Sequence, residues 1–302
     1  MDAKVIGMVE EDFQGSGGIQ IHFRSWQPSG NPRAVVVICH GVNSHGGQYV
    51  WPSEQFAASG FAVYAVDLRG RGKSGGARFY VDDVAEYVGD VAKLIEIAKS
   101  RHAGLPVFLL GHSAGGVVSC TYALDRQSEL AGLICESFAF RVPAPGFALA
   151  LIKGLSRIAP RLRVLKLKNE DFSRDPNAVR ALNSDPLIAG EVQPAATVAA
   201  LVRADERLER EFPKIKLPVF ILHGTVDKAT LPKGSQFFFD TVGSSDKTLK
   251  LYEGHYHDLL NDFGKENVIA EMIGWIDRHL PKAQSGSSTK PAQARKARPR
   301  AA

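Results

Sequence analysis

The run Pro106-Val107-Phe108-Leu109-Leu110-Gly111-His112-Ser113-Ala114-Gly115-Gly116 joins an apolar stretch to a helix-like one through a serine flanked by glycines. A continuous apolar run of this length is expected of a strand buried on both faces, and Ala114 to Leu124 follows with a helical pattern. Gly-x-Ser-x-Gly between strand and helix suits a sharp turn in which small neighbours leave room for a strained serine. The strain lifts the hydroxyl clear of the sheet edge. Ser113 is therefore a candidate nucleophile.

Outward from this turn, Ala34 to Cys39, Phe61 to Val66, Leu133 to Cys135 and Val219 to Leu222 are further apolar, β-branched runs. Helical patterns at about Gln48 to Ser59, Val81 to His102 and Pro232 to Thr241 alternate with them, and Leu249 to Tyr252 and Val268 to Leu280 supply a last strand and helix. Repeated strand-helix-strand units predict an α/β fold with a mostly parallel, doubly wound sheet. Gly18 to Trp26 alternates in period two, as expected of an antiparallel leading strand with one solvated face. The alternation breaks over 138–212, where no strand is expected and Phe147 to Ile158 and Asn177 to Arg210 read as helices. A segment that long is an inserted helical cap rather than a loop. The expected organisation is a first core part (1–137), the cap (138–212), a second core part (213–281) and a tail (282–302).

Lys and Arg number 37 against 32 Asp and Glu, a formal net charge of +5. Six of the basic residues, Lys282, Lys290, Arg295, Lys296, Arg298 and Arg300, lie in the tail, which has no acid; residues 1–281 keep 31 basic against 32 acidic. The surplus belongs to the tail, which disfavours a folded nucleic-acid-binding surface. With no Leu, Ile, Val, Met or aromatic side chain, the tail is expected to be disordered. No apolar run approaches the roughly 20 residues of a membrane span, and the opening residues lack an apolar signal core. Cys39, Cys120 and Cys135 each sit in an apolar stretch, consistent with buried thiols in a reducing, cytoplasmic compartment.

A serine hydroxyl becomes a nucleophile only when a base takes its proton, and that base needs an acid to orient it. Asp227 follows the strand Val219 to Leu222, and two histidines, His255 and His257, follow Leu249 to Tyr252. Spacing alone does not choose between them. His40, His112 and His223 occupy other strand ends and read as hydrogen-bonded scaffold, and His45 and His102 as solvated. Gly70-Arg71-Gly72-Lys73-Ser74 mimics the end of a P-loop, but position 67 is Asp instead of the required Gly. That loop is expected to be fixed by Asp67 and Arg69.

The matching residues are His40-Gly41 with Tyr49, Asp67 to Gly75, Gly111 to Gly116, Asn183 to Leu187, Gly224 to Asp227, and Tyr252-Glu253-Gly254 with His257. On these, the chain from about Arg33 to Leu280 resembles the monoacylglycerol lipase and lysophospholipase branch of the α/β-hydrolases, a serine aminopeptidase-type fold. The order Ser, Asp, His is the one that fold uses. The resemblance implies a triad of Ser113, Asp227 and His257, selecting His257 over His255, with an oxyanion hole from the N–H groups of Val42 and Ala114. It implies hydrolysis of small lipophilic monoesters of the monoacylglycerol or lysophospholipid kind, with no metal or organic cofactor. The runners-up are an esterase for non-lipid alkyl or aryl monoesters and a slow, ligand-binding relative.

Members that cleave monoacylglycerol carry Glu and Arg where this chain has Ser44 and Gln48, which puts a glycerol-specific pocket in doubt. Ser44, Gln48 and His112 are the candidate substrate contacts. In the cap, Phe147 to Ile152 is apolar around most of a helix, and Arg141, Lys153, Arg157, Arg161, Arg163, Lys166 and Lys168 surround it. Cap and tail offer weak contact with an anionic membrane surface. The favoured expectation is instead a helix packed on the core with a solvated basic edge, and a tail without function.

Overall fold

This computed structural model describes residues 6–281; the disorder expected of 282–302 lies outside them. In chain order the strands are β1 (Ile6–Gln14), β2 (Gln20–Gln27), β3 (Ala34–Cys39), β4 (Phe61–Val66), β5 (Val107–His112), β6 (Gly132–Glu136), β7 (Arg163–Leu165), β8 (Gln193–Pro194), β9 (Val219–Gly224) and β10 (Lys247–Tyr252). The helices are α1 (Val50–Ala58), α2 (Val84–Arg101), α3 (Ala114–Arg126), α4 (Gly146–Leu155), α5 (Pro176–Ser184), α6 (Ala195–Glu211), α7 (Pro232–Thr241) and α8 (Lys265–Arg278). Eight strands form one sheet in the order β1-β2-β4-β3-β5-β6-β9-β10. The first two junctions are antiparallel and the other five parallel.

Strands β3, β4, β5, β6 and β9 are buried at every position, which is why they are apolar except at the carboxyl ends of β5, β6 and β9, where His112, Glu136 and His223 stand. Period two still operates within them. Val35, Val37 and Leu109 pack with Leu94 of α2 and Val118 of α3, while Val36, Ile38 and Phe108 pack with Phe56 of α1 and Trp275 of α8. The expected helices at α1, α2, α3, α7 and α8 are all present, and the three cysteines are free and buried. Among the described residues, no helix is long and apolar enough to cross a membrane.

Four expectations need correcting. The leading strand is β1, not β2, and the polar face of β2 is buried rather than solvated. Arg24 and His22 are covered there by acids of β1: Arg24 Nε lies 3.0 Å from Glu10 and His22 Nδ1 2.8 Å from Asp12. The acids that disguised β1 are the ion-pair partners of its neighbour. Within 138–212, β7 and β8 form a short antiparallel ladder where no strand was expected. The helix foreseen over Asn177 to Arg210 is two helices: Pro186 cannot donate, its predecessor is biased away from helical geometry, and Asp185 turns the chain by accepting Leu187 N–H at 2.9 Å. His45 is buried with Nε2 2.8 Å from Asp185, and His102 meets the Tyr64 hydroxyl at 2.9 Å, so neither is simply solvated.

Asp67 and Arg69 fix the loop after β4 as expected. Asp67 accepts Gly46 N–H at 2.7 Å, Lys73 N–H at 2.8 Å and Arg24 at 2.8 Å, and Arg69 grips Asp90 with two bonds of 2.7 Å.

Candidate active site

The turn between β5 and α3 carries Ser113 at φ 54°, ψ −121°, a left-handed conformation that a non-glycine residue adopts only when its surroundings enforce it. The surroundings are tight. A Cβ on Gly115 would sit 2.1 Å from the Cys39 carbonyl oxygen, and one on Gly111 would sit 2.6 Å from that of Gly115. The glycines of the motif are thus demanded by close approach of β3 and α3. Ser113 N–H donates to Glu136 O at 2.9 Å, which ties the turn to the end of β6.

Asp227, past the end of β9, is held from both sides. Its Oδ1 accepts the N–H groups of Ala229 (2.8 Å) and Thr230 (2.9 Å), and its Oδ2 accepts the Thr230 hydroxyl at 2.7 Å. The same Oδ2 lies 2.8 Å from His257 Nδ1 and 3.0 Å from His223 Nε2. Burial alone would raise the Asp227 carboxyl, yet the charges and hydrogen bonds of the two histidines hold it below the usual carboxylate range. An ionised Asp227 makes His257 Nδ1 the protonated nitrogen and leaves a lone pair on Nε2. That Nε2 is buried and has no hydrogen-bond partner among the described residues.

His257 is clamped between rings. His112 and Phe172 each lie 4.9 Å from it centre to centre, Phe172 edge-on. Burial, followed by the neighbouring His257, pushes His112 down to about 3, so it stays neutral at ordinary pH. His255, the competing histidine, instead places Nδ1 3.2 Å from the Glu253 carbonyl oxygen. Geometry therefore brings Asp227 together with His257 and not with His255. His40 and His223 are scaffold as expected: His40 bridges Gly41 O (2.7 Å) and Leu68 N–H (3.0 Å), and His223 Nδ1 meets Ser235 at 2.7 Å.

A cavity of about 1050 Å³ opens over Ser113, with Val42 and Ala114 in its wall beside it. Neither backbone N–H of these two residues has an acceptor among the described residues. Much of the remaining lining is apolar, including Phe140, Leu149, Ile152, Phe172, Val198 and Leu201 from the loop after β6 and from the cap. Ser44, Gln48 and His112 are not among the residues that line it. Gln48 donates to Asp185 at 3.1 Å and His112 Nδ1 lies 2.8 Å from the Tyr49 hydroxyl, so both side chains are engaged in holding loops. A second cavity, about 670 Å³ between β10 and α8, contains none of Ser113, Asp227 and His257.

Among the described residues, His112, Glu136 and Asp258 bring potential ligand atoms within 4.8 Å of one another. Burial raises both carboxyls, favouring their protonated forms, which are poor ligands. Sequence reasoning missed Thr230 and Phe172. Thr230, three residues after Asp227, fits a turn that returns to its own acid; Phe172 comes from the cap and carries no local signal.

The family described as serine aminopeptidase, S33, matches residues 30–263. The chain is 34% identical over 273 residues to the monoacylglycerol lipase of Mycolicibacterium smegmatis, covering 90% of this chain and 98% of that protein. It is 32% identical over 275 residues to the human monoglyceride lipase, covering 89% and 91%. The crystal structure of the Paleococcus ferrophilus monoacylglycerol lipase superposes with a TM-score of 0.77 at 31% identity, over 91% of this chain and all of that one. The chain belongs to the serine aminopeptidase S33 family of α/β-hydrolases, in the branch that holds the monoacylglycerol lipases.

Proposed function

We propose that this carboxylic ester hydrolase cleaves lipophilic monoesters through an acyl-enzyme on Ser113. The observation that carries the reading is the 2.8 Å contact between His257 Nδ1 and Asp227, with Nε2 buried and without a hydrogen-bond partner among the described residues. In the proposed reaction Nε2 takes the Ser113 proton as Oγ attacks the ester carbonyl. The N–H groups of Val42 and Ala114 hold the oxyanion, and Asp227 stabilises the imidazolium. His257 then gives the proton to the departing alcohol, and a water activated at the same nitrogen releases the acid. The largely apolar cavity suits an acyl chain, and the relatives' names point to monoacylglycerols among the possible esters.

Ser113→Ala is expected to lower kcat for p-nitrophenyl butyrate by about 10⁶-fold, and wild-type turnover would overturn the reading. An ester panel then tests substrate class. Specificity constants highest for monoacylglycerols of medium or long chain support it; a preference for short alkyl or aryl monoesters assigns the chain to non-lipid esters instead.

We also propose weak contact between the cap and an anionic lipid surface. Helix α4 lies against α6, where Lys153 pairs with Glu206 and half-buried Leu149 and Ile152 line the cavity, but its other side is open: Phe147 is 79% and Leu151 70% exposed, and Ile158, just beyond it, 86%. Arg157, Arg161 and Arg163 flank this apolar face in sequence.

A further inference from the structure

The loop that supplies Val42 is tied to the cap by Asp185, which meets His45 and Gln48, by Asn169, which accepts the Asn43 side-chain amide at 3.2 Å, and, at the peptide next to Val42, by Glu191. Glu191, between α5 and β8, accepts the backbone N–H of Asn43 at 2.9 Å with Oε1. The same oxygen accepts the Arg71 guanidinium and, at 2.6 Å, the Gln193 side-chain amide. Arg71 in turn donates to Gln193 Oε1 at 2.8 Å. The Arg71 and Glu191 side chains are 2% and 1% exposed, so the pair is sealed from water. Asn43 itself sits at φ 51°, a left-handed conformation that a non-glycine residue keeps only under constraint.

Peptide planarity gives this arrangement its consequence. The N–H that Glu191 grips belongs to the peptide joining Val42 to Asn43, so holding it orients that peptide plane and pins the carbonyl carbon of Val42, leaving only the torsions about the Val42 Cα between the anchor and the Val42 N–H. The N–H of Val42 lies on the same residue. An oxyanion donor must be aimed before charge develops, and a misplacement of about 1 Å can cost 10²-fold in rate. From this juxtaposition we propose that Glu191 is a positioning residue: it uses buried Arg71 as an anchor to set the oxyanion loop, so that seating of the cap and assembly of the oxyanion hole are one event. The proposal rests on the reading of Val42 as an oxyanion donor.

Reach and charge separate this role from that of a plain buried ion pair. Glu191→Gln keeps the acceptor within reach of Asn43 but loses the charge; Glu191→Asp keeps the charge but withdraws it by one methylene. Both are assayed with p-nitrophenyl butyrate, per folded site counted by complete fluorophosphonate labelling. Positioning predicts that Glu191→Asp loses about 100-fold in kcat with KM within about threefold, and that Glu191→Gln stays within about tenfold of wild type. Affinity for a trifluoromethyl ketone, whose adduct carries an oxyanion, should fall in the Asp variant alongside kcat/KM. Wild-type kcat in Glu191→Asp, or a Gln variant slower per folded site than the Asp variant, overturns the proposal. If Glu191→Gln does not fold because Arg71 is left unpaired, R71M/E191Q takes its place; if that also fails to fold, the Asp variant alone decides. Ser113→Ala runs alongside: a dead Ser113→Ala with an unaffected Glu191→Asp removes the positioning role alone, whereas an active Ser113→Ala removes the hydrolytic reading itself.

Discussion

At Gly115 a methyl group would meet the Cys39 carbonyl oxygen at 2.1 Å, while along α4 no side chain is buried and Phe147 and Leu151 stand in solvent. The first region is over-determined. Strands β3, β5, β6 and β9 end together there, and each places one part of the candidate machinery: Val42, Ser113, the Glu136 carbonyl that holds the serine turn, and Asp227. The second region is loosely determined and walls the cavity over Ser113. The difference teaches that the two tasks call for different packing. A strained serine persists only where its neighbours leave no alternative, whereas a wall that accommodates acyl chains can be built from weakly packed helices.

Substitutions in the two regions should therefore differ by orders of magnitude on a soluble ester. Asp227→Asn leaves the shape of the site but reverses the preferred tautomer of His257, and is expected to lower kcat by about 10⁴-fold with the fold retained by circular dichroism. Activity within tenfold of wild type would break the comparison at its strongest point. Gly115→Ala should cost ~3 kcal/mol or more in urea unfolding, because its new methyl group strikes backbone and not a flexible side chain. A stable Gly115→Ala protein would mean that the turn is softer than its contacts imply. In the cap, the double variant F147S/L151S should change turnover of p-nitrophenyl butyrate by no more than about twofold, since surface substitutions are near neutral. The same variant should co-sediment less with vesicles containing phosphatidylglycerol. Unchanged vesicle binding would remove the lipid-surface role from α4.

The sequence was informative in proportion to how local the determinants are. The doubly buried strands read directly from their apolar runs, and the serine turn from glycines whose contacts are now visible. Asp227 followed from its position at a strand end. His257 needed the family resemblance, because nothing within Glu253 to Asp258 distinguishes it from His255; the distinction is a contact with Asp227 across 30 residues. Strand β1 was illegible because Glu10 and Asp12 look like a solvated opening until Arg24 and His22 are placed beside them. Glu191 was illegible for the same reason on a larger scale, since its partners Asn43 and Arg71 lie 148 and 120 residues away. The exposure of α4 ran against its composition: a helix apolar around most of its circumference is expected to bury two faces, and this one half-buries one, against α6, and leaves Phe147 and Leu151 in solvent.

In the proposed reaction the chemistry passes through an ester on Ser113. Its most direct test is acid quenching of the protein during steady-state turnover of p-nitrophenyl butyrate, followed by proteolysis and mass spectrometry. A butyryl adduct is expected on the peptide bearing Ser113, absent from the Ser113→Ala protein. An acyl group on any other residue, or turnover that persists in Ser113→Ala, would contradict it.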